Sequence, residues 1–132
     1  MPYHFEFDHE HRILLVVAEG EYGDADMLAL IDAIRTTATR LDARAGITDF
    51  SDVTSFTVSK RAIHEAAQRP SPFEDPIPRF VVAQSDFAFG MFRMYQSVGE
   101  RTRASLQLVR TREEALAVLG VREPRFARLP QD

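Results

Sequence analysis

The sequence predicts an α/β fold in which helices alternate with the strands of a mixed sheet. Strand-like and helix-like segments follow one another in the order β-β-α-β-α-β-α-β-α. The 132 residues are 45% hydrophobic and 27% charged, which is typical of one globular domain spanning 1–132. Because helices connect successive strands, most neighbouring strands should be parallel, and the first two should form an antiparallel hairpin.

The hairpin is predicted from the first two strand patterns. Apolar and polar side chains alternate over residues 3–7, as in a half-buried strand. Polar residues at 8–11 interrupt this pattern, and an apolar, partly β-branched run within 12–19 then indicates a buried strand. Gly20 and Gly23 should end the second strand.

A long helix is predicted over residues 25–43. Asp24 is a favourable N-cap residue, and Asp26 places negative charge where the helix dipole favours it. Apolar residues at helical spacing then form one continuous stripe, made of Met27, Leu30, Ile31, Ile34, Ala38 and Leu41.

The rest of the chain alternates short strands with helices. The strands are predicted at 45–50, 80–83 and 104–109, and the helices at 58–69, 86–101 and 115–119. A capping box at 111–114 and the C-cap Gly120 delimit the last helix. Four prolines within 70–78 exclude helix and central strand, so we expect an extended loop there and a tail at 124–132.

Several motifs give the chain a resemblance to a known fold. The stretch Thr-Asp-Phe-Ser-Asp-Val-Thr at 48–54 resembles the STAS fold of bacterial anti-sigma-factor antagonists. Three later motifs are similar to its SpoIIAA-like branch: Pro-Arg-Phe-Val-Val-Ala at 78–83, Phe-Gly-Met-Phe-Arg-Met-Tyr-Gln at 89–96 and Arg-Glu-Glu-Ala-Leu at 112–116. This branch is related in fold to lipid-binding SEC14-type domains. The resemblance covers nearly the whole chain and implies a single-domain STAS/SEC14-like mixed sheet.

The same resemblance implies a candidate phosphorylation site. STAS antagonists carry a phosphorylatable serine at the start of the second helix, within an Asp-Ser-Ser-Gly pattern. Counting from Asp49, the corresponding stretch here is Thr-Val-Ser-Lys at 57–60, and Ser59 takes the place of that serine. The aspartate, the first serine and the glycine of the pattern are absent. We therefore expect Ser59 to be structural.

Polar residues follow the predicted parallel strands. In open α/β sheets, ligands bind at the carboxyl ends of the strands. Those ends supply Asp49, Ser51, Gln84, Ser85, Asp86, Arg110 and Arg112. Thr57 and Ser59 would lie at a nearby helix start, where free backbone amides favour an anion. A ligand or partner surface and ordinary helix capping are both consistent with these residues.

The helix at 86–101 carries two apolar sides. One side should cover the sheet and contains Phe87, Met91, Met94, Tyr95 and Val98. Phe89 and Phe92 lie on the other side, with Arg93 on the flank. Outward aromatic rings predict a subunit contact, hence a homodimer, or a ligand groove. The alternative is that the proline-rich loop or the C-terminal tail covers them.

Two further groups of residues contain the side-chain types of a metal site and of a hydrolytic site. His9 and His11 would share a face of a strand, and His4 or Asp8 could complete a metal site, but a solvated turn explains the same residues. We therefore predict no metal and no cofactor.

Ser51, Asp52 and His64 are the residue types of a hydrolytic triad. No Gly-x-Ser-x-Gly motif and no glycine-rich phosphate loop is present. We assign no catalytic residue, and a hydrolase is the third and least favoured function.

Composition excludes further classes. The chain has no cysteine and a net charge of −4, so thiol chemistry is absent and nucleic-acid binding is not expected. No apolar run reaches the roughly 20 residues of a membrane span, and the N-terminus lacks a signal-peptide pattern. We predict a cytoplasmic, non-catalytic regulatory or protein-interaction module that is homodimeric or binds a protein partner. The alternative is a carrier of a small apolar ligand or lipid, with its pocket between the sheet and the 86–101 helix.

Overall fold

The computed structural model describes residues 2–73, 77–98 and 105–130. Within these ranges the strands are β1 (Tyr3–Asp8), β2 (Ile13–Tyr22), β3 (Ala45–Phe56), β4 (Arg79–Val82), β5 (Leu106–Val109) and β6 (Ala127–Arg128). The helices are α1 (Asp24–Leu41), α2 (Lys60–Gln68), α3 (Asp86–Val98) and α4 (Arg112–Leu119). None of these described helices combines the length and hydropathy that crossing a bilayer requires.

The strands form one mixed sheet in the order β5-β4-β3-β2-β1-β6. β2, β3, β4 and β5 are parallel neighbours, whereas β1 is antiparallel to both β2 and β6. The predicted fold class, a mixed sheet with an N-terminal antiparallel hairpin and β-α-β units, is confirmed. Predicted residues 99–101 of the third helix and Ala104 of the fifth strand lie outside the described ranges.

Both faces of the sheet are covered. α1, α2 and α3 pack on one face, where Leu14 and Val16 of β2 point, and α4 packs on the other, with Ile13, Leu15 and Val17. This double burial explains why β2 reads as a continuous apolar run.

The start of α1 differs from the prediction. Gly23, not Asp24, is the N-cap residue, and its N–H donates to Asp26 Oδ2 at 2.9 Å. Asp24 is the first helical residue, and its carboxylate accepts hydrogen bonds from Ser59 instead. The predicted caps of α4 are confirmed, because Thr111 Oγ1 accepts from Glu114 N at 3.2 Å and Gly120 has a left-handed φ of 74°.

Two strands extend beyond the sequence pattern. β3 continues from the predicted end at residue 50 to Phe56, because β2 also continues past Gly20 and the two pair as far as Tyr22 and Phe56. The pairing passes two register shifts on the way. In the predicted tail, Ala127 pairs with Phe7 and forms the short strand β6.

The orientation of α3 corrects one site prediction. Phe92 was expected to point outward, but it is only 4% exposed and belongs to the core, with its ring centroid 4.7 Å from that of Phe50. Phe87 was expected to face the sheet and is 58% exposed. The buried side of α3 contains Ala88, Met91, Phe92 and Tyr95. The small Ala88, not Phe87, occupies the first inward position.

Candidate functional site

Asp49 is the centre of a polar cluster on β3, at the position where the pairing of β3 with β4 ends. The side chain is almost fully buried, and Ser51 N and Ser51 Oγ donate to Asp49 Oδ1 at 2.9 and 2.5 Å. Arg112 Nε and Nη2 both lie 3.0 Å from Asp49 Oδ2. Both carboxylate oxygens are therefore occupied, and the ion pair joins α4 to β3. A carboxylate held in this way cannot serve as a free general base.

A second polar group surrounds the start of α3. Ser85 Oγ accepts from Ala88 N at 3.1 Å and caps the helix. Arg110 Nη1 donates to Gln84 O and to Asp86 Oδ1, both at 3.0 Å. Because Asp86 is almost fully exposed, this ion pair adds little stability.

Ser59 is the N-cap of α2 and is held by Asp24. Ser59 N donates to Asp24 Oδ1 at 2.7 Å and Ser59 Oγ to Asp24 Oδ2 at 2.8 Å, while Ser59 Oγ accepts from Ala62 N at 3.1 Å. The backbone N–H of Ser59 and then its hydroxyl hold the pKa of Asp24 below its ordinary value. Thr57 N and Oγ1 donate to Tyr22 O at 2.8 and 3.1 Å. In this structure Ser59 therefore caps α2 and bonds to the start of α1, and Thr57 bonds to the end of β2.

An aromatic rim, formed by Phe56 and Phe87, lies beside these polar groups. The Phe56 and Phe87 rings meet edge to face with centroids 6.0 Å apart, and Phe87 is largely exposed. Between β3 and the start of α3 is a crevice of about 130 Å³. It is lined by Phe50, Ser51, Val53, Phe56, Ala83, Gln84, Ser85 and Ala88. Val53 and Phe56 are not among the predicted site residues, because the sequence pattern ends β3 at residue 50.

Phe89 is half-buried, and arginines cover part of its ring. The guanidinium carbon of Arg110 lies 4.1 Å from the ring centroid and that of Arg93 lies 5.6 Å away. Of Phe89 and Phe92, which were both predicted to point outward, Phe89 therefore lies on the surface side of α3. There it forms a patch with the two arginines.

An apolar cavity lies where the carrier alternative placed its pocket. It occupies about 50 Å³ between the sheet and the three helices α1, α2 and α3. Phe73, from the predicted extended loop, is 5% exposed and forms part of its wall, close against Gly46. Apolar residues such as Leu30, Phe80 and Phe92 form most of the remaining wall.

The three histidines near the N-terminus contact different groups. His4 Nδ1 and Nε2 lie 2.8 Å from carboxylate oxygens of Glu19 and Glu6. His11 Nδ1 lies 3.2 Å from Asp8 Oδ2, whereas His9 packs against a phenylalanine ring. Within the ranges that the structure covers, no three His, Asp or Glu side chains are grouped closely enough for a metal ion.

Asp8, the last residue of β1, is fully buried beside the hairpin turn. It accepts backbone hydrogen bonds from Glu10, His11 and Arg125 at 2.9, 3.0 and 2.9 Å. Burial raises its pKa, but the donors, chiefly the backbone N–H groups of His11 and Arg125, outweigh burial and leave the pKa below its ordinary value.

The hydrolytic triad considered from sequence is not assembled. Ser51 donates to Asp49, and among the described residues no hydrogen bond joins it to His64, which is exposed on α2. Asp52 is exposed as well.

The structure is similar to that of the Bacillus cell fate determinant SpoIIAA in the phosphorylated form. The TM-score is 0.51 at 17% sequence identity, and the similarity covers 89% of this chain and 98% of the SpoIIAA chain. The chain has a SpoIIAA-like STAS fold. This confirms the resemblance identified from the sequence motifs at the level of the fold. No protein-family model and no curated protein sequence matches the chain.

Proposed function

We propose that the protein is a non-catalytic regulatory module of one domain over 1–132 that binds a protein partner through the aromatic rim, in the cytoplasm. The observation that carries the proposal is the exposed ring of Phe87, which contacts Phe56 at the carboxyl ends of the strands. The SpoIIAA-like fold supports a regulatory role. Burying one Phe ring contributes about 1.5–3 kcal/mol, and aromatic residues are enriched at interface centres.

The pairing of the polar residues supports a binding role over a catalytic one. Asp49 accepts hydrogen bonds from Ser51 and Arg112, and the Ser59 hydroxyl donates to Asp24. An interface of this kind, with apolar rings surrounded by satisfied polar groups, is typical of transient protein complexes.

Homodimerisation is part of the proposal. Because Phe92 lies in the core, a dimer contact on α3 would depend on Phe87 and Phe89. Arg93 and Arg110 flank the Phe89 ring. A two-fold contact would bring the same patch from both copies together.

The test is site-specific photocrosslinking in the native cell. The photoreactive residue p-benzoylphenylalanine replaces Phe87 in one variant and Val118 of α4 in the control, because these two side chains are 58% and 57% exposed. We expect a discrete product from position 87 and none from position 118. A product of twice the chain mass would identify a homodimer, and a different mass would identify another partner. The same products from both positions, or none from either, would refute the proposed surface.

A carrier of a small apolar ligand is the second candidate, and the apolar cavity beside α3 favours it. Its volume of about 50 Å³ is small, since an engineered cavity of roughly 150 Å³ is what holds benzene. A lipid would therefore require Phe73 to move. Native mass spectrometry of the protein purified from its host tests this candidate, because a carrier retains a ligand and the interaction module does not.

A further inference from the structure

The second half of β3 has a strand neighbour on one side only. β4 pairs with Gly46 to Asp49 and stops there, whereas β2 continues beside β3 as far as Phe56. In the ranges that the structure describes, the backbone of residues 52–55 is hydrogen-bonded to no element other than β2. We call the backbone of residues 52–56 on the β4 side the open edge of β3. A strand edge of this kind presents N–H and C=O groups that another chain can pair with.

A crevice borders this edge. One wall of the crevice is β3, with Val53 and Phe56, and the other is the start of α3. The crevice of about 130 Å³ would take one or two side chains. An extended segment paired with the open edge would point alternate side chains into it.

The two faces at the open edge differ in chemistry. Val53 and Phe56 are paired with Gly20 and Tyr22 and pack toward the helices α1, α2 and α3. The opposite face is acidic, because Asp52 is paired with Glu19 and Ser55 with Glu21.

The acidic face carries carboxylates that are available to a partner. Asp52 and Glu21 are exposed and form no ion pair with a described residue. A segment that fits both faces therefore alternates apolar side chains with Lys or Arg, the apolar ones facing the helices.

A second copy of this chain fits the edge poorly. Antiparallel pairing of two open edges would place the acidic faces of two copies side by side, with Asp52 on each adjoining strand and Glu19 and Glu21 one strand further from the contact. Like charges across strands are destabilising. The two register shifts in the β2–β3 pair also twist the edge, which is a common device against self-association.

We propose that the open edge of β3 binds an extended segment of a partner protein that alternates apolar with Lys or Arg residues and adds one strand to the sheet. The inference rests on the proposed function, since it names the kind of segment that the interaction module takes up. The main-chain hydrogen bonds would supply affinity, and the two faces would supply specificity.

The test uses synthetic peptides of about six residues, the usual length of a strand. One set alternates Lys with Val, Ile or Phe, and a matched set has Glu in place of Lys. Backbone amide NMR shifts and hydrogen exchange of residues 52–56 are measured as each peptide is added. We expect the Lys peptides, at concentrations up to about 1 mM, to shift the amides of residues 52–56 and to protect those whose N–H groups point to the open edge. The Glu peptides should have no effect.

Two controls separate strand addition from docking on the surface. Peptides N-methylated at the Lys residues or at the apolar residues each lose one hydrogen-bonding edge, so one of the two patterns should abolish binding and the other should not. Asp52→Lys should weaken binding roughly fivefold or more, whereas Glu113→Lys, at an exposed position of α4 and with the same change in charge, should not.

Three results would overturn the inference. They are the absence of any change at 52–56 with every Lys peptide, equal binding of both N-methylated patterns, and protection of these amides that depends on protein concentration without peptide. The last would identify a second copy as the occupant. If the crosslink at position 87 forms while the peptides fail, the proposed function stands and this inference falls. Peptide binding without a crosslink would refute the aromatic rim alone.

Discussion

Replacement of Gly46 by alanine should destabilise the protein through one identified contact. A Cβ atom on Gly46 would lie 2.1 Å from Phe73 Cζ and 2.5 Å from Phe73 Cε2, distances that no real contact tolerates. The ring must therefore shift or leave the sheet. Forcing an extra methyl group into a packed core costs about 1–3 kcal/mol, and expelling the ring would cost about 1.5–3 kcal/mol of burial.

The opposing effect is small. Glycine in a strand is less favourable than alanine by about 0.5–1 kcal/mol, because glycine loses more conformational freedom on folding. We therefore expect Gly46→Ala to lower the free energy of unfolding by about 1–2 kcal/mol, as measured by urea denaturation at constant slope.

A double-mutant cycle tests the cause. In a Phe73→Ala background the clash is absent, so Gly46→Ala should be neutral or stabilising by about 0.5 kcal/mol, and the two sites should couple by about 1–2.5 kcal/mol. An equal cost of Gly46→Ala in both backgrounds would refute the assignment of Phe73 to the wall beside Gly46.

Four further outcomes are expected. Thr111→Ala should cost about 1 kcal/mol through the lost N-cap bond, and an unchanged denaturation midpoint would place the helix start elsewhere. The pKa of Asp8 is lowered in the folded protein, so its charged form stabilises the fold above the ordinary aspartate pKa of about 4, and this stabilisation is lost as pH falls through the folded pKa. Asp8→Asn should therefore reduce the free energy of unfolding at neutral pH and make that free energy fall less steeply on acidification. Native protein should carry no stoichiometric phosphate on Ser59, because the phosphate would stand beside the Asp24 carboxylate; intact mass decides this. Phe92→Ser should cost at least about 3 kcal/mol by the same denaturation measurement, so a near-neutral midpoint shift would put the ring outside the core.

Local signals were sufficient where an element is determined by its own residues. The apolar stripe of α1 and the capping box of α4 lie within a few turns of chain, and both gave the right elements. The extension of β3 has no such signal, because residues 51–56 are strand only through their pairing with β2. β6 is two residues long and is likewise defined by its partner, β1.

The orientation of α3 could not be predicted from hydrophobic periodicity. Both sides of this helix carry large apolar residues, so periodicity alone allows two orientations, and packing against Phe50 and Phe56 selects the one that buries Phe92. At the strand ends, the sequence placed Asp49 and Arg112 at the same edge of the sheet. It could not show that they pair, because they are 63 residues apart in the chain.

The features left for a partner are apolar rings and backbone groups. The polar side chains that first suggested a site, Asp49, Ser59 and Ser85, are satisfied by contacts within the fold. By contrast, the ring of Phe87 is exposed, and among the described residues the open edge of β3 has no strand paired with it. Affinity should therefore come from burial and main-chain hydrogen bonds, with the acidic face contributing mainly to the association rate. Added salt should consequently slow association more than it speeds dissociation.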